Sequence, residues 1–187
     1  ESHLEAIREG KDQGAGSLKT LFTVHWRPLL LVFLITAGGT VAFYTYSVNA
    51  PAIVKSTFGS DRALTATWVN LAGLIFLMLL QPVGGLISDR VGRKPLLIVF
   101  GVSGVLYTYV LLTVLPNTTS ALMAFLVLAV GYIIITGYTS VNAIVKAEVF
   151  PAEIRALGVG LGYALANSAF GGTAPLLYQA SKPDHIT

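Results

Sequence analysis

Apolar residues along this chain fall in long unbroken blocks instead of alternating with polar ones. No Asp, Glu, Lys or Arg occurs from Pro28 to Val54, from Ala63 to Ser88, from Pro95 to Val145, or from Ala156 to Ser181. A helix needs about 20 apolar residues to cross the hydrocarbon core of a bilayer. The third block is about twice that length, and the turn-forming string Pro116-Asn117-Thr118-Thr119-Ser120 divides it. Five transmembrane helices are therefore predicted, at about 29–54, 64–87, 95–115, 120–146 and 156–179. Barrel strands would alternate apolar and polar residues over about ten positions, and these blocks do not. The predicted fold is an all-α membrane protein.

Composition agrees with that pattern. Of 187 residues, 54% are hydrophobic and 11% charged, with a mean hydropathy of +0.72. A soluble domain carries about 25% charged residues, so this chain lacks the polar surface to cover itself in water. With no cysteine, a disulfide framework, a thiolate nucleophile and a cysteine-based metal site are all excluded. No metal, cofactor or paired acid–base constellation is predicted, and an enzyme is disfavoured.

The net charge of +3 changes the picture only through its placement. Arg8, Lys11, Lys19, Arg27, Arg90, Arg93, Lys94, Lys146 and Arg155 flank alternate ends of the blocks, while only Lys55, Arg62 and Lys182 lie at the other ends. Cytoplasmic loops are enriched in Lys and Arg, so the N-terminal segment and the loops at 88–95 and 146–155 are expected in the cytoplasm. The basic residues form no continuous stripe, and nucleic-acid binding is not expected. Residues 1–27 read as a loop leading into the first span. In it, Ser2-His3-Leu4-Glu5 fits a capping box with Gly10 as a stop, and residues 13–17 are flexible in composition. Leu18 to Arg27 reads either as an interfacial approach helix or as a solvated connector.

Two loops carry more information. Between spans two and three the chain reads Gly84-Gly85-Leu86-Ile87-Ser88-Asp89-Arg90-Val91-Gly92-Arg93-Lys94. Gly85 is expected to admit a neighbouring helix, and Asp89 to pair with a cation or a helix N-terminus. Gly92 suits a tight reversal, and Pro95 a first helical turn. Between spans four and five, Glu148 and Arg155 have six residues between them, Pro151 among these. An acid and a base at one rim, worth about 0.2–1 kcal/mol as an exposed pair, suit a contact that forms in one state and parts in another.

The first of these loops resembles the G-x-x-x-D-[RK]-x-G-[RK]-[RK] signature of the major facilitator superfamily, through Gly85, Asp89, Arg90, Gly92, Arg93 and Lys94. The second resembles that family's acid-x₆-Arg pattern. Together with Gly158-Val159-Gly160-Leu161-Gly162, Asn167, Phe170-Gly171-Gly172 and Phe43-Tyr44-Thr45-Tyr46, the chain is similar to the metabolite–proton symporter branch. The resemblance implies helices seven to eleven of a twelve-helix carrier, preceded by its central cytoplasmic loop (1–27), with the N-terminal half as the missing partner. It implies a multi-pass protein of the bacterial inner membrane and proton-coupled uptake of a small metabolite, first a dicarboxylate such as α-ketoglutarate. Shikimate, proline, betaine or a sugar on the same fold, and a structural half-carrier without transport, are the alternatives. In this scheme Asp89, Arg93, Glu148 and Arg155 form a cytoplasmic gate.

The charge-free blocks hold no group able to carry a proton, and Lys146 reads as a rim charge. The proton-titrating residue is accordingly expected outside this chain; His3, His25 and His185 all fall outside the blocks. Neutral hydrogen-bonding groups are the candidates for a solute cavity: Thr40, Tyr44, Tyr132, Thr136 and Asn167 near the midplane, and Tyr138 further from it. Tyr44, Tyr138 and Asn167 come first. Each has a competing reading as an interhelical bond, because polar groups in lipid need partners. The glycines of residues 158–162 fail both phosphate-loop patterns and are expected to serve helix packing.

Overall fold

The computed structural model describes residues 18–171 and 173. Among these residues it is all helical. The proposed capping box and flexible string before Leu18, and the end of the fifth predicted span, lie outside the described residues.

A six-residue helix, α1 (Leu18–Thr23), precedes the first span. Its Leu21 is fully buried against Leu29, Val32, Phe150 and Ile154, so this approach segment packs onto the bundle. The first span is α2 (Trp26–Tyr44), a π-helical turn (Thr45–Asn49) and α3 (Ala50–Phe58). Pro51 explains the wide turn. A proline lacks an amide hydrogen and collides with the carbonyl four residues back, and a π turn relieves both problems. The span ends at Gly59, whose φ of 68° favours glycine.

The second span, α4 (Ala63–Val91), ends at Gly92, φ 93°, from which α5 (Arg93–Val114) starts at once. Gly92 thus makes the reversal foreseen for it. The Pro116 string is a short 3₁₀ turn leading to α6 (Ala121–Thr139). Helix α6 stops where one continuous span was expected. Thr136, Thr139 and Ser140 turn their hydroxyls back onto the carbonyls of Tyr132, Ile135 and Thr136. Such back-bonding bends helices. The chain restarts as α7 (Asn142–Glu148), and the fifth span follows as α8 (Arg155–Ala166) with a second π turn, Asn167–Gly171.

Four of these spans, Trp26–Phe58, Ser60–Val91, Arg93–Asn117 and Ala121–Glu148, are long and apolar enough to cross a membrane. The fifth is described over a shorter length. Helix α6 lies at the centre, packed on α4 and α5, while α2 packs on α8. Tyr46, Val54, Leu111, Leu128, Tyr132 and Ile135 form the core between spans one to four. Outer faces carry Trp68, Ile75, Met78 and Leu79 on α4 and Val99, Val102, Val105 and Leu106 on α5, all exposed. An apolar shell around an apolar core identifies lipid as the surroundings these helices are built for.

Glycines set the closest approaches. A Cβ at Gly73 would stand 2.7 Å from the Tyr132 ring, and one at Gly84 would stand 2.7 Å from Ser140 and Thr136. Gly85, the expected contact, meets nothing within 4 Å. One helical step separates the two, and Gly84 is the one turned toward α6. Gly158 packs on the Phe150 ring and Gly162 on Val32, the packing role foreseen for this stretch.

Candidate functional site

The loops sort to two ends of the bundle. At one end Arg93 forms an ion pair with Glu148, joining loops two/three and four/five, and Leu21 packs on Phe150. At the other end Arg62 donates to the carbonyl of Thr119 at 2.9 Å, joining loops one/two and three/four. Residues 18–27 and the loops at 88–95 and 146–155 therefore share one face.

Of the four expected gate residues, only Arg93 and Glu148 meet. Both side chains are about half exposed, at 42% and 51%, which limits the pair to the low values of surface ion pairs. Arg155 donates through Nε to the carbonyl of Phe150 at 3.3 Å instead of reaching Glu148. Asp89 is exposed and has no ion pair or side-chain hydrogen bond among the described residues. Arg90 and Lys94 are exposed at the same rim.

Between spans one, four and five lies a cavity of about 250 Å³. Thr40, Phe43 and Tyr44 line it from α2, Tyr138, Thr139 and Asn142 from the α6–α7 joint, and Tyr163 and Asn167 from the last span. Four of the six expected cavity residues, Thr40, Tyr44, Tyr138 and Asn167, are on this wall. Thr40 donates to Asn167 Oδ1 at 2.9 Å, tying spans one and five together.

Tyr132 and Thr136 are not on it. Both are buried, and they pack against Gly73 and Gly84 of the second span. The cause is helical phase: two positions turn a helix by about 200°, so Tyr138 points away from Thr136. Tyr132 Oη has no hydrogen-bond partner among the described residues. Tyr46, two positions beyond Tyr44 and so turned to the other side of the span, bonds the Gly104 carbonyl at 3.0 Å and Thr108 at 2.9 Å in the third span.

Lys146 is the largest departure from the sequence reading. It is 2% exposed, because α7 restarts after the Ser140–Val141 break with its inner face toward the cavity wall. Its Nζ donates to Tyr138 Oη at 3.3 Å and to Asn142 Oδ1 at 3.2 Å. It also lies 4.9 Å from the ring centroid of Tyr163 and 5.6 Å from that of Tyr138. The signal was present as Tyr138, Asn142 and Lys146 at successive steps of four, one helical face. Phe43, Thr139 and Tyr163 also line the cavity without having been singled out.

A sequence profile of the Major Facilitator Superfamily matches residues 2–175. The chain belongs to this family. It is 40% identical over 160 residues to the alpha-ketoglutarate permease of Escherichia coli, covering 86% of this chain and 37% of that protein. It is 33% identical over 159 residues to the citrate-proton symporter of Klebsiella pneumoniae, covering 83% and 35%. It is likewise 33% identical over 155 residues to the ectoine/proline transporter ProP of Corynebacterium glutamicum, covering 83% and 30%. The chain thus spans about a third of the length of these relatives. No solved structure matches it.

Proposed function

We propose that this chain forms helices seven to eleven of a proton-coupled carrier of small metabolites, working by alternating access, and that its solute is a dicarboxylate such as α-ketoglutarate. The observation that carries this reading is the cavity walled by spans one, four and five, with hydroxyl and amide groups from all three on its wall, inside a bundle whose outer faces are apolar. A solute site near the midplane, lined by helices that rock against the other half, is how such folds work. The names of two relatives, a permease for α-ketoglutarate and a symporter of citrate and protons, support the solute class and the coupling.

In this reading the end bearing Arg93 and Glu148 faces the cytoplasm of a bacterial inner membrane, with the N-terminal segment on the same side. Asp89, Arg93, Glu148 and Arg155 act there as a gate, of which the Arg93–Glu148 contact is the part formed in this conformation. The other six-helix half supplies the opposite cavity wall and the proton-carrying group.

The test is uptake of labelled α-ketoglutarate by the complete carrier in proteoliposomes, with and without an imposed proton gradient. Accumulation that depends on the gradient is the expected result. Uptake indifferent to the gradient removes the proton coupling, and inertness toward carboxylates removes the solute. A second reading, a zwitterion such as proline on the same fold, has the ectoine/proline transporter behind it and is separated by the same assay with labelled proline.

A further inference from the structure

Lys146 lies buried inside a membrane-spanning segment, with no negative charge beside it among the described residues. Its two hydrogen-bond acceptors are a phenol and a carboxamide. No acidic side chain lies within ion-pair distance of it among the described residues. An ammonium has three N–H groups and no acceptor, so one donor lacks a partner among the described residues. Two aromatic rings within 6 Å offset part of the desolvation cost, but an uncompensated buried charge remains expensive.

The hydrogen bonds around the lysine give the cavity wall a direction. The Asn142 oxygen is taken by Lys146, and its amide nitrogen donates to the Thr139 carbonyl at 2.9 Å. Thr139 donates to the Ile135 carbonyl, and the Asn167 oxygen is taken by Thr40. Each amide oxygen on the wall thereby already accepts one internal bond. The Tyr138 hydroxyl hydrogen and the Asn167 amide hydrogens have no protein acceptor among the described residues. With its amide oxygens engaged internally and the buried Lys146 ammonium held directly behind two of its lining residues, Tyr138 and Asn142, the wall favours an anion.

We infer that Lys146 is the anion-binding residue of this cavity: in the loaded carrier its ammonium pairs with a carboxylate of the solute, while Tyr138 and Asn167 donate to the same group. This rests on the reading of the chain as part of a carrier, and it adds the residue that selects a carboxylate over a neutral solute. Tyr138 and Asn142 are positioning residues for the ammonium, holding it at the wall until the anion arrives.

The experiment uses the complete carrier in proteoliposomes, with labelled α-ketoglutarate as the probe and succinate or its neutral diamide as competitors. Lys146→Met is expected to raise the half-saturating α-ketoglutarate concentration roughly a hundredfold, the usual scale for losing one partner of a buried charge pair. The preference for succinate over the diamide should narrow in parallel. Lys146→Arg should retain most of that preference, and Lys55→Gln, which removes an exposed charge at the other end, should change neither. Where Lys146→Met does not fold, Asn142→Asp supplies an internal carboxylate beside Nζ and should weaken α-ketoglutarate binding while keeping the fold. Unchanged affinity and unchanged charge preference in either folded variant would overturn the inference. Equal losses for succinate and the diamide would do so too, assigning Lys146 to a protein counter-ion instead. Failure of the wild-type carrier to take up any carboxylate overturns the solute reading itself, a distinguishable result.

Discussion

Gly39 and Tyr138 occupy one space. A methyl group built on Gly39 would fall inside the phenol ring of Tyr138, which is buried and stacked on Phe100 with centroids 5.3 Å apart. The ring touches the backbone of α2 because residue 39 has no side chain. Spans one and four therefore meet at the cavity wall itself.

Gly39→Ala is accordingly expected to push Tyr138 from the wall, at about 1–3 kcal/mol of overpacking, and to weaken solute binding. Gly38→Ala is the control, since nothing lies within 4 Å of a Cβ there. Thermal unfolding in detergent and uptake kinetics measure the two effects. Equal behaviour of the two variants would disprove the contact.

The two buried tyrosines of the fourth span should separate on losing their hydroxyls. Tyr138→Phe removes an acceptor of Lys146 and a donor to the cavity, and a loss of about 1–2 kcal/mol in solute affinity is expected, roughly tenfold. Tyr132→Phe removes a hydroxyl with no partner among the described residues and should leave uptake unchanged and stability equal or slightly higher. Half-saturation concentrations and melting temperatures of both variants decide it.

At the rim, reversing one charge with Arg93→Glu or Glu148→Arg should shift the balance of inward- and outward-open states, and the double reversal should restore much of it. The contribution of the pair is expected at or below about 1 kcal/mol, readable by double-mutant cycle. If Asp89→Asn and Arg155→Ala leave both transport rate and that balance unaltered, those two residues have no part in the gate.

The absence of cysteine from this stretch makes its topology directly measurable. Single cysteines at Arg90 and Glu153 should react with an impermeant maleimide from one side of the membrane, and one at Asp61 from the other. Labelling of positions 90 and 153 from opposite compartments is incompatible with the shared end that Arg93 and Glu148 define.

Much of this architecture was legible because lipid imposes a coarse rule, and charge-free length alone marked the blocks. The reversal at Gly92 and the packing at Gly158 and Gly162 were equally plain from residue type. Phase was harder. A span apolar on every side carries no periodic signal to show which face is inward, so Tyr132 and Thr136 looked equivalent to Tyr138 and Asn167. Gly84 and Gly85 were indistinguishable for the same reason. The break after Thr139 depends on three hydroxyls turning back on their own helix, a local choice that composition does not reveal. Lys146 was misplaced for a different reason: two residues from Glu148 it read as one more topogenic charge, although steps of four from Tyr138 put it on the inner face.

That break also turns α7 into a short lever. Lys146 stands near the end of this seven-residue rod and Glu148 at its last position, so neither side chain's backbone moves without the other's. A pull on the ammonium from within the bundle is felt at the carboxylate outside, and Arg93 holds the far end of that carboxylate. The setting of the ammonium and the setting of the ion pair are, mechanically, two readings of the tilt of one piece.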